Sequence, residues 1–215
     1  MQGINLATIA IIAANVIISF KAFNDQAFFN KYKFEVAAIK RGEKIRLLSS
    51  GFLHVDGMHL FVNMLTLYFF ASPVIHTVGT PAFLVIYIGS LLLGNLLSLY
   101  FHKDEPYYVA VGASGAVMGI LYSAILLYPD MMLGLFFLIP IPAYIFGIGY
   151  LLYSIYGMKS RRDNIGHDAH FGGAMGGYFL TMLFLPEVLQ TNLLMVVLLA
   201  VPILVLFVLK KTGKL

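Results

Sequence analysis

Apolar residues fill seven long segments of the chain, with short polar stretches between them. Each segment has about 17–25 residues, the length of a helix that crosses a lipid bilayer. No stretch alternates polar and apolar residues as the strands of a transmembrane barrel do. The pattern predicts seven membrane-spanning helices, at Ile4–Phe20, Met58–Val78, Pro81–Phe101, Gly112–Tyr128, Met131–Tyr156, Ala169–Leu185 and Leu193–Leu209.

Polar side chains interrupt three of these segments close to where they begin. His59 and Asn63 lie at the start of the second segment, Ser114 at the start of the fourth and His170 at the start of the sixth. Every second crossing starts on the same side of the membrane, so we expect these residues at a similar depth near one face. Polar and ionisable groups are costly inside a bilayer, and their presence there indicates a functional site.

The composition is that of a membrane protein. Of the 215 residues, 60% are apolar and 11% are charged, and the mean hydropathy is +0.87, whereas roughly a quarter of the residues of a soluble domain are charged. We therefore interpret the chain as an all-α membrane protein, a bundle of transmembrane helices. It is predicted to form a single domain over residues 1–215, with a core at about 4–186 and one extra C-terminal span at about 191–209.

Charge and cysteine content exclude several other classes of protein. The formal net charge is +4, but the basic residues lie in loops and in the tail beside apolar spans. Contact with lipid headgroups explains them, and we expect no nucleic-acid partner. The absence of cysteine excludes disulfides, thiolate ligands and a cysteine nucleophile. The first span lacks the basic start and the cleavage pattern of a signal peptide, so we expect it to be retained.

Ser114 and His170 have the chemistry of a nucleophile and its base. A serine hydroxyl attacks readily only when a base within about 3 Å takes its proton. Both residues lie on segments with two glycines spaced four residues apart, a pattern that lets helix backbones approach closely. The alternative is that these glycines only pack helices. The pairs are Gly115 with Gly119 and Gly173 with Gly177.

His59 and Asn63 are four residues apart, so they project from one face of the second helix. Both can donate hydrogen bonds to an oxyanion, and the Ser114 backbone N–H at a helix start offers a third donor. Alternatively, the two side chains only form polar contacts with neighbouring helices.

Other chemistries fit the sequence less well. His54, His59, His167 and His170 could hold a metal ion, but there is no H-E-x-x-H motif and no carboxylate at helical spacing to act as a base. We predict no metal ion and no other cofactor. The paired aspartates of aspartyl proteolysis are missing, and Ala116 breaks the G-x-S-x-G pattern of a nucleophile elbow.

Taken in order, the motifs resemble those of the rhomboid family of intramembrane serine proteases. Arg46 is similar to the arginine of the family's first-loop motif, and the resemblance extends to Leu185. Three motifs in this order on these spans make the resemblance specific. They are His54-x4-His59-Leu60-x2-Asn63-Met64, Gly112-Ala113-Ser114-Gly115 and Ala169-His170-x2-Gly173-x3-Gly177.

The resemblance implies a six-helix core with a catalytic dyad of Ser114 and His170 and no acidic third member. It further implies that His59, Asn63 and Gly112 form the oxyanion and substrate-binding site, and that the loop between spans five and six covers it. The expected reaction is serine endopeptidase cleavage of transmembrane helices of other proteins. The expected partners are those transmembrane substrates and the lipid bilayer.

The chain departs from the family pattern at two positions. Ile45 stands where a tryptophan often precedes the first-loop arginine, and Met118 stands one turn after the serine, where an aromatic residue often lies under the histidine. Because a thioether also packs against an imidazole, we expect Met118 to alter the level of activity and not to abolish it.

Function and orientation each have an alternative. A non-catalytic rhomboid-like protein could bind client transmembrane helices, and a small transporter could use the polar cavity, although no repeat symmetry is visible.

We expect a multi-pass protein of a bacterial cell membrane. All 14 Lys and Arg residues share one side in a seven-span topology, which the positive-inside rule places in the cytoplasm. The resemblance implies that this side faces away from the cytoplasm. We favour that orientation, because the first loop is long and the positive-inside rule applies best to short loops.

Overall fold

The computed structural model describes residues 4–135 and 139–215. Over these described residues, long helices dominate and two small antiparallel pairs of strands accompany them. The helices are α1 Leu6–Asn24, α2 Gln26–Tyr32, α3 Val36–Lys40, α4 Arg46–Ser49, α5 Gly57–Phe101, α6 Ser114–Leu127, α7 Ala143–Ser160, α8 His167–Phe184, α9 Val188–Thr191 and α10 Leu193–Lys211. The strands are β1 Phe34–Glu35, β2 Val109–Ala110, β3 Met132–Leu135 and β4 Ile139–Pro142.

The predicted bundle of transmembrane helices is confirmed. By length and composition, α1, α5 and α10 can each cross a membrane, and α6 is a shorter apolar helix. Predicted spans two and three are the two halves of α5. They are divided at Gly79, whose φ of 81° lies in the left-handed region that glycine adopts without strain. Pro81, two residues later, falls in the first turn of the second half, where its missing N–H is not needed.

The two halves of α5 run in opposite directions. His59, in the first turn of α5, lies against Gly112 at the start of the fourth span. His102, directly after the end of α5, lies 3.4 Å from Asp168 at the start of the sixth span. Both ends of α5 are therefore at the face where α6 and α8 begin, as a seven-span topology requires.

The predicted fifth span, Met131–Tyr156, was wrong in its first half. β3 and β4 form a hairpin in which Met132 lies opposite Pro142, and the helix begins only at Ala143. Pro140 and Pro142 explain the difference, since proline lacks an amide hydrogen and disfavours helical geometry in the residue before it. Hydropathy detects the apolar composition of this stretch but not the effect of its prolines.

α6 lies at the centre of the bundle. Every residue from Gly115 to Leu126 is buried, as expected for a helix that is apolar on all sides. A hydrogen bond between Ser123 and Thr181 joins α6 to α8. The Tyr122 hydroxyl donates to the Gly147 carbonyl at 2.5 Å, which joins α6 to α7. The site residues at the start of α6 therefore stand on a rigid support.

The connection between the first two spans is folded around Arg46. The buried guanidinium donates to the carbonyls of Asn30 and Lys33 at 2.8 and 2.9 Å, and it pairs with Glu43 at 2.7 Å. β1 of this connection pairs with β2, which precedes Ser114 by only a few residues. The first connection is thereby attached to the face on which the polar residues lie.

Candidate active site

Ser114 and His170 come together on neighbouring helices. Ser114 is the first residue of α6, and His170 lies in the first turn of α8. Ser114 Oγ lies 2.6 Å from His170 Nε2, the length of a good hydrogen bond. Both side chains are partly exposed. This is the contact that a serine and its base require, between residues 56 positions apart in the chain.

Glycines allow this contact, because they bring the backbones of α6 and α8 together. A Cβ atom built on Gly173 would overlap the backbone of Gly115, and one built on Gly177 would overlap the backbone of Gly119. The predicted close approach of these glycine pairs is confirmed. We expect a larger residue at this interface to separate the two helices and to lengthen the contact between Ser114 and the imidazole.

A third residue, Tyr150, also contacts the imidazole. Its hydroxyl oxygen lies 2.7 Å from His170 Nδ1, and the two rings are stacked at an angle of 29° with centroids 6.2 Å apart. Tyr150 belongs to α7 and was missed by the sequence analysis. A buried tyrosine hydroxyl needs a partner, but α7 carries four tyrosines, at positions 144, 150, 153 and 156. The sequence offers no way to choose among them.

His54 supports the turn before Ser114. Its Nδ1 lies 2.8 Å from Ser19 Oγ, and its Nε2 accepts a hydrogen bond from the Ala113 backbone N–H at 3.4 Å. Burial lowers the pKa of His54 to about 3, so the ring is neutral and Nδ1 carries the hydrogen. Ser19 Oγ in turn donates to the Phe52 carbonyl at 3.0 Å. His54 thus connects α1, the first connection and the start of α6.

The turn itself depends on Gly112. Its φ of 136° is accessible mainly to glycine, and its N–H donates to the Ser50 carbonyl at 3.0 Å. A Cβ atom here would lie 2.7 Å from His59 Cε1 and 3.5 Å from Ser114 Oγ. Gly112 therefore leaves room for the His59 ring beside Ser114.

The remaining predicted site residues lie on the first turns of α5. His59 is partly buried, next to Gly112 and 5.0 Å from the His54 ring. Asn63 is buried one turn further on, and one hydrogen of its amide is donated to the His59 carbonyl at 3.1 Å. No acceptor among the residues that the structure describes takes the second amide hydrogen. The Ser114 N–H is also available, because the first N–H groups of a helix have no acceptor within it.

Three of the four histidines that could act as metal ligands form hydrogen bonds with different residues, and His59 packs beside Gly112 and the His54 ring. His54 bonds to Ser19, His167 Nε2 lies 3.1 Å from Asp163, and His170 contacts Ser114. Among the residues that the structure describes, no group of three or more His, Cys, Asp or Glu side chains could hold a metal ion.

A cluster of polar residues lies in the connections that precede α6 and α8. His102 lies 2.9 Å from Glu105 and 3.4 Å from Asp168, and Glu105 also pairs with Arg161 at 2.8 Å. Burial alone would lower the pKa of His102, but its contacts with Asp168 and Glu105 outweigh burial and raise it. The His102 ring stacks on Tyr108 at 3.5 Å. These contacts join the connection before α6 to the connection before α8.

The two positions that depart from the family pattern occupy different environments. Ile45 is 59% exposed at the start of α4. Met118 is buried in the same apolar cluster as Phe171. The connection of residues 161–166, predicted to cover the site, is exposed from residue 161 to residue 165.

The fold and these contacts define a polytopic helical membrane protein with a serine–histidine pair at one face of the bundle. Comparison with known sequences gives the family. The model of the Rhomboid domain matches residues 41–187, which is well over half of the chain. This chain belongs to the rhomboid family.

Named relatives match at similar levels of identity. "RHOMBOID-like protein 12, mitochondrial" of Arabidopsis thaliana is 31% identical over 176 residues, which are 75% of this chain and 52% of the plant protein. "Presenilin-associated rhomboid-like protein, mitochondrial" of Homo sapiens is 31% identical over 138 residues, 61% of this chain and 35% of the human protein. "Putative rhomboid protease YdcA" of Bacillus subtilis is 31% identical over 148 residues, 67% of this chain and 69% of that protein. The chain thus spans about half the length of the plant relative.

Proposed function

We propose that the protein is an intramembrane serine endopeptidase that cleaves transmembrane helices of other membrane proteins. The observation that supports this most directly is the 2.6 Å contact between Ser114 Oγ and His170 Nε2, at a partly exposed position on the bundle. Membership of a family that includes intramembrane serine proteases is consistent with it. A hydroxyl bonded to a neutral imidazole is the arrangement that activates serine for attack on a peptide carbonyl.

In the first half of the reaction, His170 Nε2 takes the proton of Ser114 as Oγ bonds to the carbonyl carbon of the scissile peptide. The carbonyl oxygen becomes an oxyanion. It accepts hydrogen bonds from the Ser114 N–H and from the side chains of His59 and Asn63, donors that are worth most in a site of low dielectric. The C–N bond then breaks, and His170 gives its proton to the leaving amine. An acyl ester on Ser114 remains.

In the second half, water attacks the ester while His170 accepts one of its protons. The ester bond breaks, the carboxylic acid leaves, and the proton returns to Ser114 Oγ. Gly112 contributes by leaving space beside the nucleophile, because any Cβ at this position would collide with His59. No cofactor is needed for either half.

The test is labelling of the purified protein with a fluorophosphonate probe, which requires no knowledge of the substrate. Wild-type protein should be labelled, whereas Ser114→Ala and His170→Ala should lose labelling and stay folded. Ser123→Ala removes the other serine of α6, nine residues away on the same helix, and should keep the label. If folded wild-type protein took up no probe, the non-catalytic function of binding client transmembrane helices would replace this proposal.

We further propose that the face with Ser114 is on the side opposite the cytoplasm. In the predicted seven-span topology α10 is the seventh crossing, which puts the C-terminal tail on the same side as this face. A reporter fused to the C-terminus tests the orientation, and a cytoplasmic tail would contradict it.

The relatives do not support the predicted location in a bacterial cell membrane, because those from plant and human are named as mitochondrial. That part stays a prediction.

A further inference from the structure

The imidazole of His170 is held on both of its nitrogens. Nε2 faces Ser114 Oγ at 2.6 Å, and Nδ1 faces the Tyr150 hydroxyl at 2.7 Å. Ser114 belongs to α6, Tyr150 to α7 and His170 to α8. Ring orientation and proton position in His170 are therefore determined by two helices besides its own.

Proton counting determines what the second contact must do. A neutral imidazole carries one N–H. To take the proton of Ser114, Nε2 must be free of hydrogen, so the hydrogen must be on Nδ1 and must find an acceptor there. The Tyr150 hydroxyl oxygen lies at the right distance and has lone pairs for that bond. If the hydroxyl donated instead, Nε2 would carry the hydrogen and could not act as a base.

A hydroxyl is suited to this position in the bundle. A carboxylate would be a stronger acceptor, but burying a charge among apolar helices costs far more than burying a hydroxyl. Asp168 is two residues before His170, but its carboxylate faces His102 at 3.4 Å. The carboxylate of Asp163 faces His167 at 3.1 Å.

We propose that Tyr150 is a positioning residue that accepts the Nδ1 hydrogen of His170 and so fixes the tautomer in which Nε2 is the base. This rests on the proposed function of Ser114 and His170. During attack, the proton moves from Ser114 Oγ to Nε2, and the imidazolium then carries both hydrogens. Its Nδ1–H stays bonded to the Tyr150 oxygen, which holds the ring in place until Nε2 releases its proton to the leaving amine.

The experiment compares Tyr150→Phe with Tyr153→Phe, one turn along α7. Tyr153 is a matched control, because its hydroxyl lies 3.2 Å from Asp163 rather than near His170. Fluorophosphonate labelling is followed over a range of probe concentrations. For Tyr150→Phe we expect the maximal labelling rate to fall by about 10–100-fold, and the half-saturating probe concentration to change by less than about threefold. Tyr153→Phe should match wild type.

Nitrogen-15 NMR of histidine-labelled protein gives the second readout, with His170→Ala to assign the signal. Wild type should show His170 in the Nδ1–H tautomer, and Tyr150→Phe should lose that preference. The proposal is overturned if Tyr150→Phe labels at the wild-type rate, or if wild-type His170 carries its hydrogen on Nε2. If wild type took up no probe, the proposed function would fail, and the tautomer comparison would still decide the role of Tyr150.

Discussion

Replacing Gly173 by alanine tests whether the closeness of α6 and α8 creates the site. A Cβ atom on Gly173 would overlap most with the Gly115 carbonyl oxygen, and it would lie 2.7 Å from the Gly115 carbonyl carbon and 2.9 Å from its Cα, where ordinary contacts begin at 3.4 Å. The atoms in the way belong to the backbone of α6, so no side chain can rotate to relieve the overlap. The two helices must therefore separate locally by about 0.7 Å or more.

This shift acts directly on the serine–histidine pair. Gly115 follows Ser114, and Gly173 lies one turn after His170. A hydrogen bond of 2.6 Å lengthened by this amount would pass the usual limit of about 3.2 Å. Because a misplacement of about 1 Å can cost about 100-fold in rate, we expect fluorophosphonate labelling of Gly173→Ala to slow by about 10–100-fold. Overpacking should lower the free energy of unfolding by about 1–3 kcal/mol.

Labelling rate and thermal unfolding in detergent are measured on the same preparations. Gly149→Ala is the control, since a Cβ there would meet no atom within 4 Å and the residue lies within the helix α7. It should label at the wild-type rate and unfold at the same temperature or higher. The reasoning would be refuted if Gly173→Ala labelled and unfolded like Gly149→Ala.

Two further predictions concern the turn before Ser114 and the contacts of His102. Gly112→Ala should lower the free energy of unfolding by about 1–3 kcal/mol, because Gly112 has a positive φ and a Cβ there would collide with His59. Gly57→Ala is the control and should leave the free energy of unfolding unchanged, since a Cβ there meets no atom within 4 Å. The pKa of His102 is raised in the folded protein. The protonated imidazole therefore stabilises the fold fully below the ordinary histidine pKa of 6.5, and this stabilisation is lost as the pH rises through the raised pKa. The unfolding temperature of wild type should therefore fall between about pH 6 and pH 9 more than that of His102→Gln, and equal slopes would contradict this reasoning.

Sequence and structure agree best where partition into lipid decides the outcome. Apart from the first half of the predicted fifth span, each apolar segment becomes a helix for reasons internal to that segment, since lipid offers no partner to backbone N–H and C=O groups. The positions of Ser114 and His170 at one face follow from counting crossings. Even the glycine pairs that let their helices touch could be recognised from spacing. The hairpin in which Met132 lies opposite Pro142 was not predicted, because hydropathy does not register the effect of proline on the backbone.

The sequence alone determined the membrane class, the order of the helices and the face on which Ser114 and His170 lie, because these depend on composition and on the number of crossings. Only the tertiary structure decided that Tyr150 faces His170, and that His54 supports the turn before Ser114. Such contacts depend on how each helix is rotated and shifted against its neighbours. That arrangement results from the packing of many side chains at once, and no single segment of sequence encodes it.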